Sequence, residues 1–118
     1  MTPDELKART KAFALEIIRL VSGLPRTEVA RVIGRQLLRA GTAVGANYRA
    51  ACRARSSPDF KAKLAIVEEE ADESLYWIEI LAESGIASGR SLFSLLKEAN
   101  ELVAIFTASR RTARSCNR

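Results

Sequence analysis

The chain has 118 residues, 47% hydrophobic and 28% charged, a mix that fits one folded domain and excludes a disordered tract. Only 3 prolines and 6 glycines interrupt it, which favours long helices. The net charge is +5 and there is no histidine, so the commonest general base and the histidine ligands of di-iron bundle sites are both missing.

The first helix opens at Thr2, with Pro3 at its first position and Glu5 three residues after the cap, a capping-box pattern. Phe13, Ile17, Leu20 and Val21 recur at helical spacing, and Gly23 and Pro25 end the helix. A second helix runs from near Thr27 to about Arg55. The third starts at SSPDF, where Ser57 is the expected cap, Pro58 suits the first turn and Asp59 faces the positive end of the dipole. Phe60, Leu64, Val67, Ala71, Leu75, Ile78 and Ala82 form its inner stripe, and Gly85 stops it. The fourth begins around Ser88 or Ser91, and Leu92, Leu95, Ala99, Leu102, Val103 and Phe106 face inward. From about Arg110 the chain reads as a basic, frayed tail.

No segment alternates like a strand. The expected fold is therefore all-α: an up-down antiparallel four-helix bundle, one domain over 1–118, structured from about 3 to 110. The second and third helices would each reach roughly 40 Å, making an elongated rod. The longest uncharged run, Ala40 to Tyr48, is nine residues, too short to cross a bilayer. The opening MTPDELKART lacks an apolar core, so no signal peptide is expected. Cys52 and Cys116 then read as reduced thiols in a cytoplasmic protein, with no disulfide framework.

Charge is segregated along the chain. Arg31 to Lys63 carries eight bases and one acid, Leu64 to Glu101 nine acids and two bases, and the last stretch, after Glu101, four arginines and no acid. At ~100° per residue, Arg31, Arg35, Arg39, Arg49 and Arg53 share an arc of roughly 80° on the second helix. Val29, Ile33, Leu37, Ala40, Val44 and Ala51 fall opposite. The arginine stripe has two readings. It is a ridge for phosphates, extended by Arg110, Arg111 and Arg114, or it is a solvated face or ion-pair seam against the acidic third helix. No aromatic residues interleave it, so a base-stacking platform is not indicated.

Gly41 and Gly45 lie four apart beside the apolar stripe, a pattern that pays for its helix cost by letting another helix approach closely. Asn47 falls on the apolar arc and is expected to bond a neighbouring helix and set register. On the third helix, Ile66, Glu70, Glu73 and Trp77 form a second stripe, a candidate subunit interface where the acids could meet arginines. No metal-ligand cluster, Gly-rich phosphate loop or nucleophile elbow occurs, so neither a metal nor another cofactor is expected.

Three stretches carry a resemblance: RAGTAVGANYRAA (Arg39–Ala51), DFKAKLAIVEEEADESLYWIEIL (Asp59–Leu81) and EANELVAIFTASRRTAR (Glu98–Arg114). Together and in order they resemble the ribosomal-RNA intervening-sequence protein family. That resemblance implies a left-handed up-down bundle assembled into a homopentameric ring, without established catalytic residues. It also implies kinship with the accessory variability protein of diversity-generating retroelements, a basic barrel that binds nucleic acid and a reverse transcriptase. Arg39, Gly41, Thr42, Gly45, Ala46, Asn47, Tyr48 and Arg49 fall on the family's second-helix motif, and Glu70, Glu73 and Trp77 on its third-helix motif. The chain departs at Ala40 and Ala43, where serine is usual, and at Ala50, where glutamate is usual. The resulting expectation is a non-enzymatic homo-oligomer with RNA or DNA as candidate partner. The alternative is a structural or protein-interaction module whose arginines pair with third-helix acids between subunits, with no nucleic acid.

Overall fold

A computed structural model describes residues 1–116, with side chains through residue 113. Four helices follow one another: α1 (Pro3–Ser22), α2 (Glu28–Cys52), α3 (Ser57–Glu83) and α4 (Arg90–Cys116). They form an up-down bundle 49 Å long and 21 Å across in both other directions. α2 packs on α1 and α3, α3 on α4, and α4 closes the ring against α1 through the sparsest of the four seams.

Caps define the helix starts. The amide of Glu5 donates to Thr2 Oγ1 at 3.1 Å, and the Thr2 hydroxyl donates back to Glu5. Thr27 accepts from the Ala30 amide in the same way. At α3 the cap is Ser56, not the expected Ser57: Ser56 Oγ accepts from the Asp59 amide at 3.2 Å. The helix therefore starts one residue earlier than expected, with Ser57 and Pro58 both inside its first turn. α2 ends at Cys52, three residues short of Arg55. α4 continues through Cys116, so the segment after Arg110 is helical rather than frayed.

The core is built from Leu6, Phe13 and Ile17 of α1, Leu37, Val44 and Tyr48 of α2, Leu64, Val67, Ile78 and Leu81 of α3, and Leu92, Leu102 and Phe106 of α4. Two hydroxyls inside it, Thr10 and Ser74, bond back to their own helix: Thr10 to Leu6 O at 2.9 Å and Ser74 to Glu70 O at 2.8 Å. Val29, placed on the apolar arc by its angle, is 57% exposed in the first turn of α2.

Gly41 and Gly45 bring α1 and α2 together. A Cβ on Gly41 would stand 2.8 Å from Ile17 Cγ1, and one on Gly45 would stand 3.2 Å from Thr10 Oγ1. The glycines exist where the opposing helix would otherwise be pushed off, which answers their ~1 kcal/mol helix cost.

Candidate nucleic-acid interface

The cations of this bundle divide into those that hold an acid of another helix and those that do not. Arg9 of α1 sits in the α1–α4 seam, donating from Nε to Glu98 and from Nη2 to Glu98 and Glu101, each at 2.7 Å. These bonds raise its pKa above the ordinary arginine value, Glu98 contributing most. Arg110 of α4 donates to Glu68 of α3 at 2.7 Å. Arg39 of α2 reaches Glu70 at 3.1 Å and Glu73 at 2.5 Å on α3, and Trp77 Nε1 donates to the same Glu73 oxygen at 3.1 Å. Arg39 first and Trp77 second hold the Glu73 carboxyl below its usual pKa. The acids of the third-helix motif thus meet an arginine of their own chain.

Arg39 interrupts the arginine stripe. All five of its members are exposed, but Arg31 is paired with Glu28 one turn back and Arg39 is held by α3. Arg35, Arg49 and Arg53 have no acidic partner among the described residues. Arg111 is exposed and has none either; the Arg114 side chain lies outside the described residues.

Folding adds cations that the stripe did not contain. Lys7, Ala8 and Lys11 of α1 and Arg49 and Arg53 of α2 line one hollow of about 320 Å³. Lys7 and Lys11 lie one turn apart on α1, and Arg49 stands in the last turn of α2 with Arg53 capping its end. The antiparallel pairing sets the start of α1 against the end of α2. Lys7 has a long contact of 4.0 Å with Asp4, whose side chain is almost fully exposed. The other three cations have no acidic partner among the described residues. The two lysines were not legible as site residues in the sequence. Their repeat of four on the outer face of α1 was present, but only the helix register joins it to Arg49 and Arg53.

The remaining motif residues are inside the fold. Tyr48 is buried, its ring 5.5 Å from that of Phe106, and burial first, then the adjacent Cys52, push its hydroxyl above the ordinary pKa. It is not available to stack on a base. Asn47 does not bridge helices: Nδ2 donates to Ala43 O of its own helix at 2.8 Å, the short local bond that amides make one turn back. Thr42 likewise donates to Leu38 O at 2.7 Å. On α3, Ile66 is exposed and Trp77 half-buried, with Tyr76 exposed beside it at a ring distance of 5.0 Å.

This four-helix bundle falls in a known class of protein. The sequence profile of the 23S rRNA-intervening sequence protein family matches residues 5–108, and the chain belongs to that family. A solved structure of a protein of unknown function, from the S23 ribosomal protein family of Bacteroides thetaiotaomicron VPI-5482, is similar: 31% identity, TM-score 0.84, covering 94% of this chain and 99% of that one. No curated protein matches. The family is not described as an enzyme family, and none of the described helices is long and apolar enough to cross a membrane.

Proposed function

We propose that this protein is a non-catalytic nucleic-acid-binding module that grips phosphates at the α1–α2 face. The hollow of Lys7, Lys11, Arg49 and Arg53 carries this reading: four cations from two helices converge and three have no acidic partner among the described residues. Unneutralised cations held together repel one another, and a polyanion relieves that repulsion while releasing its own counterions. Guanidinium and ammonium groups would meet phosphate oxygens without reading sequence. Titrating labelled RNA at increasing salt tests the idea. Four phosphate contacts give a slope of about −3 in log affinity against log salt. A flat salt response, or no binding at low salt, overturns it.

A second observation favours self-assembly. Ile66 and Tyr76 of α3 are 43% and 53% exposed beside the half-buried Trp77, an apolar flank rimmed by acids. We infer that α3 joins subunits, with the pentameric ring implied by the family resemblance as the stoichiometry to measure. Light scattering of the wild-type chain and of Ile66→Glu with Tyr76→Glu tests this: an oligomer that the double variant turns into monomers supports it, and a monomeric wild type refutes it. Arg39 already meets Glu70 and Glu73 of its own chain, so the interaction-module alternative, which pairs these groups between subunits, would have to exchange partners there.

A further inference from the structure

The nucleic-acid reading leaves open what form of nucleic acid the face takes. Two hollows open along the α1–α2 seam, one near each end. The first is that of Lys7, Lys11, Arg49 and Arg53. The second, about 670 Å³, lies at the α1–α2 turn, where Arg26, Arg31 and Arg35 stand around a floor that includes Val21, Leu24 and Leu38. Glu28 also lines it and pairs with Arg31, an exposed pair that a phosphate can displace at little cost.

Between the two hollows the face has no free cation among the described residues, since Arg39, at the edge of the arc, is held by Glu70 and Glu73 of α3. From Val29 to Cys52, α2 carries no acid. Thr42 and Ala46 continue the arginine arc there, and Leu15 and Ile18 lie on the corresponding arc of α1. The only aromatic residues of α1 and α2, Phe13 and Tyr48, are buried. A single strand would therefore find cations at both ends of the face but no ring on which to stack its bases, the interaction that binds unpaired strands.

Spacing favours a stiffer ligand. Arg35 and Arg49 are roughly 21 Å apart along the helix, and Arg31 and Arg53 roughly 33 Å. A duplex laid along the rod returns its backbone to the same side once per helical turn, about 34 Å. We propose that the two cationic hollows engage a nucleic-acid duplex at backbone positions about one turn apart, with the band that has no free cation spanning the groove between them. The inference rests on the nucleic-acid reading above and narrows it to double-stranded ligands read by shape. Two weak sites on one stiff ligand reinforce each other only when the ligand spans both.

The test uses the full chain and fluorescence anisotropy, with RNA and DNA duplexes of about 8 and about 16 base pairs and their unpaired strands. The longer duplex is expected to bind at least about tenfold more tightly than the short one or either strand. Arg26→Gln with Arg35→Gln removes most of that advantage and leaves the short duplex within about twofold, since the other hollow still serves it. The thermal melt of that variant, expected to be unchanged, checks folding. Either duplex satisfies the inference, and the tighter of the two names its source. Strands binding as well as duplexes overturn the duplex inference and leave the nucleic-acid reading standing, as does a distal double variant with full affinity for the long duplex. No binding by any probe removes both.

Discussion

Arg9 and Arg53 sit toward the same end of the rod, but only one of them is spoken for. Arg9 is drawn into the sparse α1–α4 seam, where three short bonds to Glu98 and Glu101 substitute for the close packing that the helices lack there. Arg53 lies by the α1–α2 seam, which glycines and apolar contacts already close, so its charge is left to solvent. What decides is whether an acid of the neighbouring helix lies within reach: Arg39 has Glu70 and Glu73 across the well-packed α2–α3 seam, and Arg53 has none among the described residues.

The contrast makes opposite forecasts for opposite arginines. Replacing Arg49 and Arg53 with alanine removes two phosphate contacts, which at about 0.1 M salt costs roughly 50-fold in RNA affinity and lowers the salt slope by about 2. The melting temperature should not fall, because neither side chain holds an acid and both face other cations. If stability falls and affinity does not, the division between free and occupied cations is wrong. Arg9→Ala should do the reverse. It strips the partner from Glu98, a carboxylate only 28% exposed, and is expected to cost about 1–2 kcal/mol in chemical denaturation while leaving RNA affinity intact. Arg110→Ala is the milder version, with one bond to Glu68 lost and a cost below about 1 kcal/mol. Its RNA affinity is the informative readout, because an arginine that both pairs with Glu68 and contacts phosphate would blur the two sets.

The fold was legible because its signals are local. Caps, glycines and the three-to-four-residue apolar rhythm specify each helix and its inner face without reference to the others. The misplaced details are also local, and each has a reason. Ser56 and Ser57 are neighbours with the same capping chemistry, so the sequence alone does not choose between them, and Asn47 finds a carbonyl on its own helix before it finds a neighbour. The site was legible only in part. The arc of Arg31, Arg35, Arg39, Arg49 and Arg53 follows from helix angle alone, but which of them meets an acid depends on how α2 and α3 register. Lys7 and Lys11 joined the site, and Arg9 and Arg39 acquired partners, through tertiary pairing that no single-helix periodicity encodes.

The smallest effect is the sharpest probe of Arg39, the one stripe residue held by another helix. Its partner Glu73 has a pKa lowered by Arg39 and Trp77, so the unfolded chain binds a proton there more readily than the folded one. Stability from this pair is therefore fully present above the unfolded glutamate pKa of about 4.3 and is lost as pH falls through the lower folded value. Asp59, lowered by Lys63, acts in the same direction and supplies a background that both chains share. The expected result is that Arg39→Ala flattens the acid limb of the stability curve below about pH 4.5. The variant's loss, small because the guanidinium is exposed, is largest near neutrality and vanishes as pH falls through the folded Glu73 value. An unchanged acid limb would mean that Glu73 draws its depression from Trp77 alone, and that Arg39 belongs with the free cations of the α2 face.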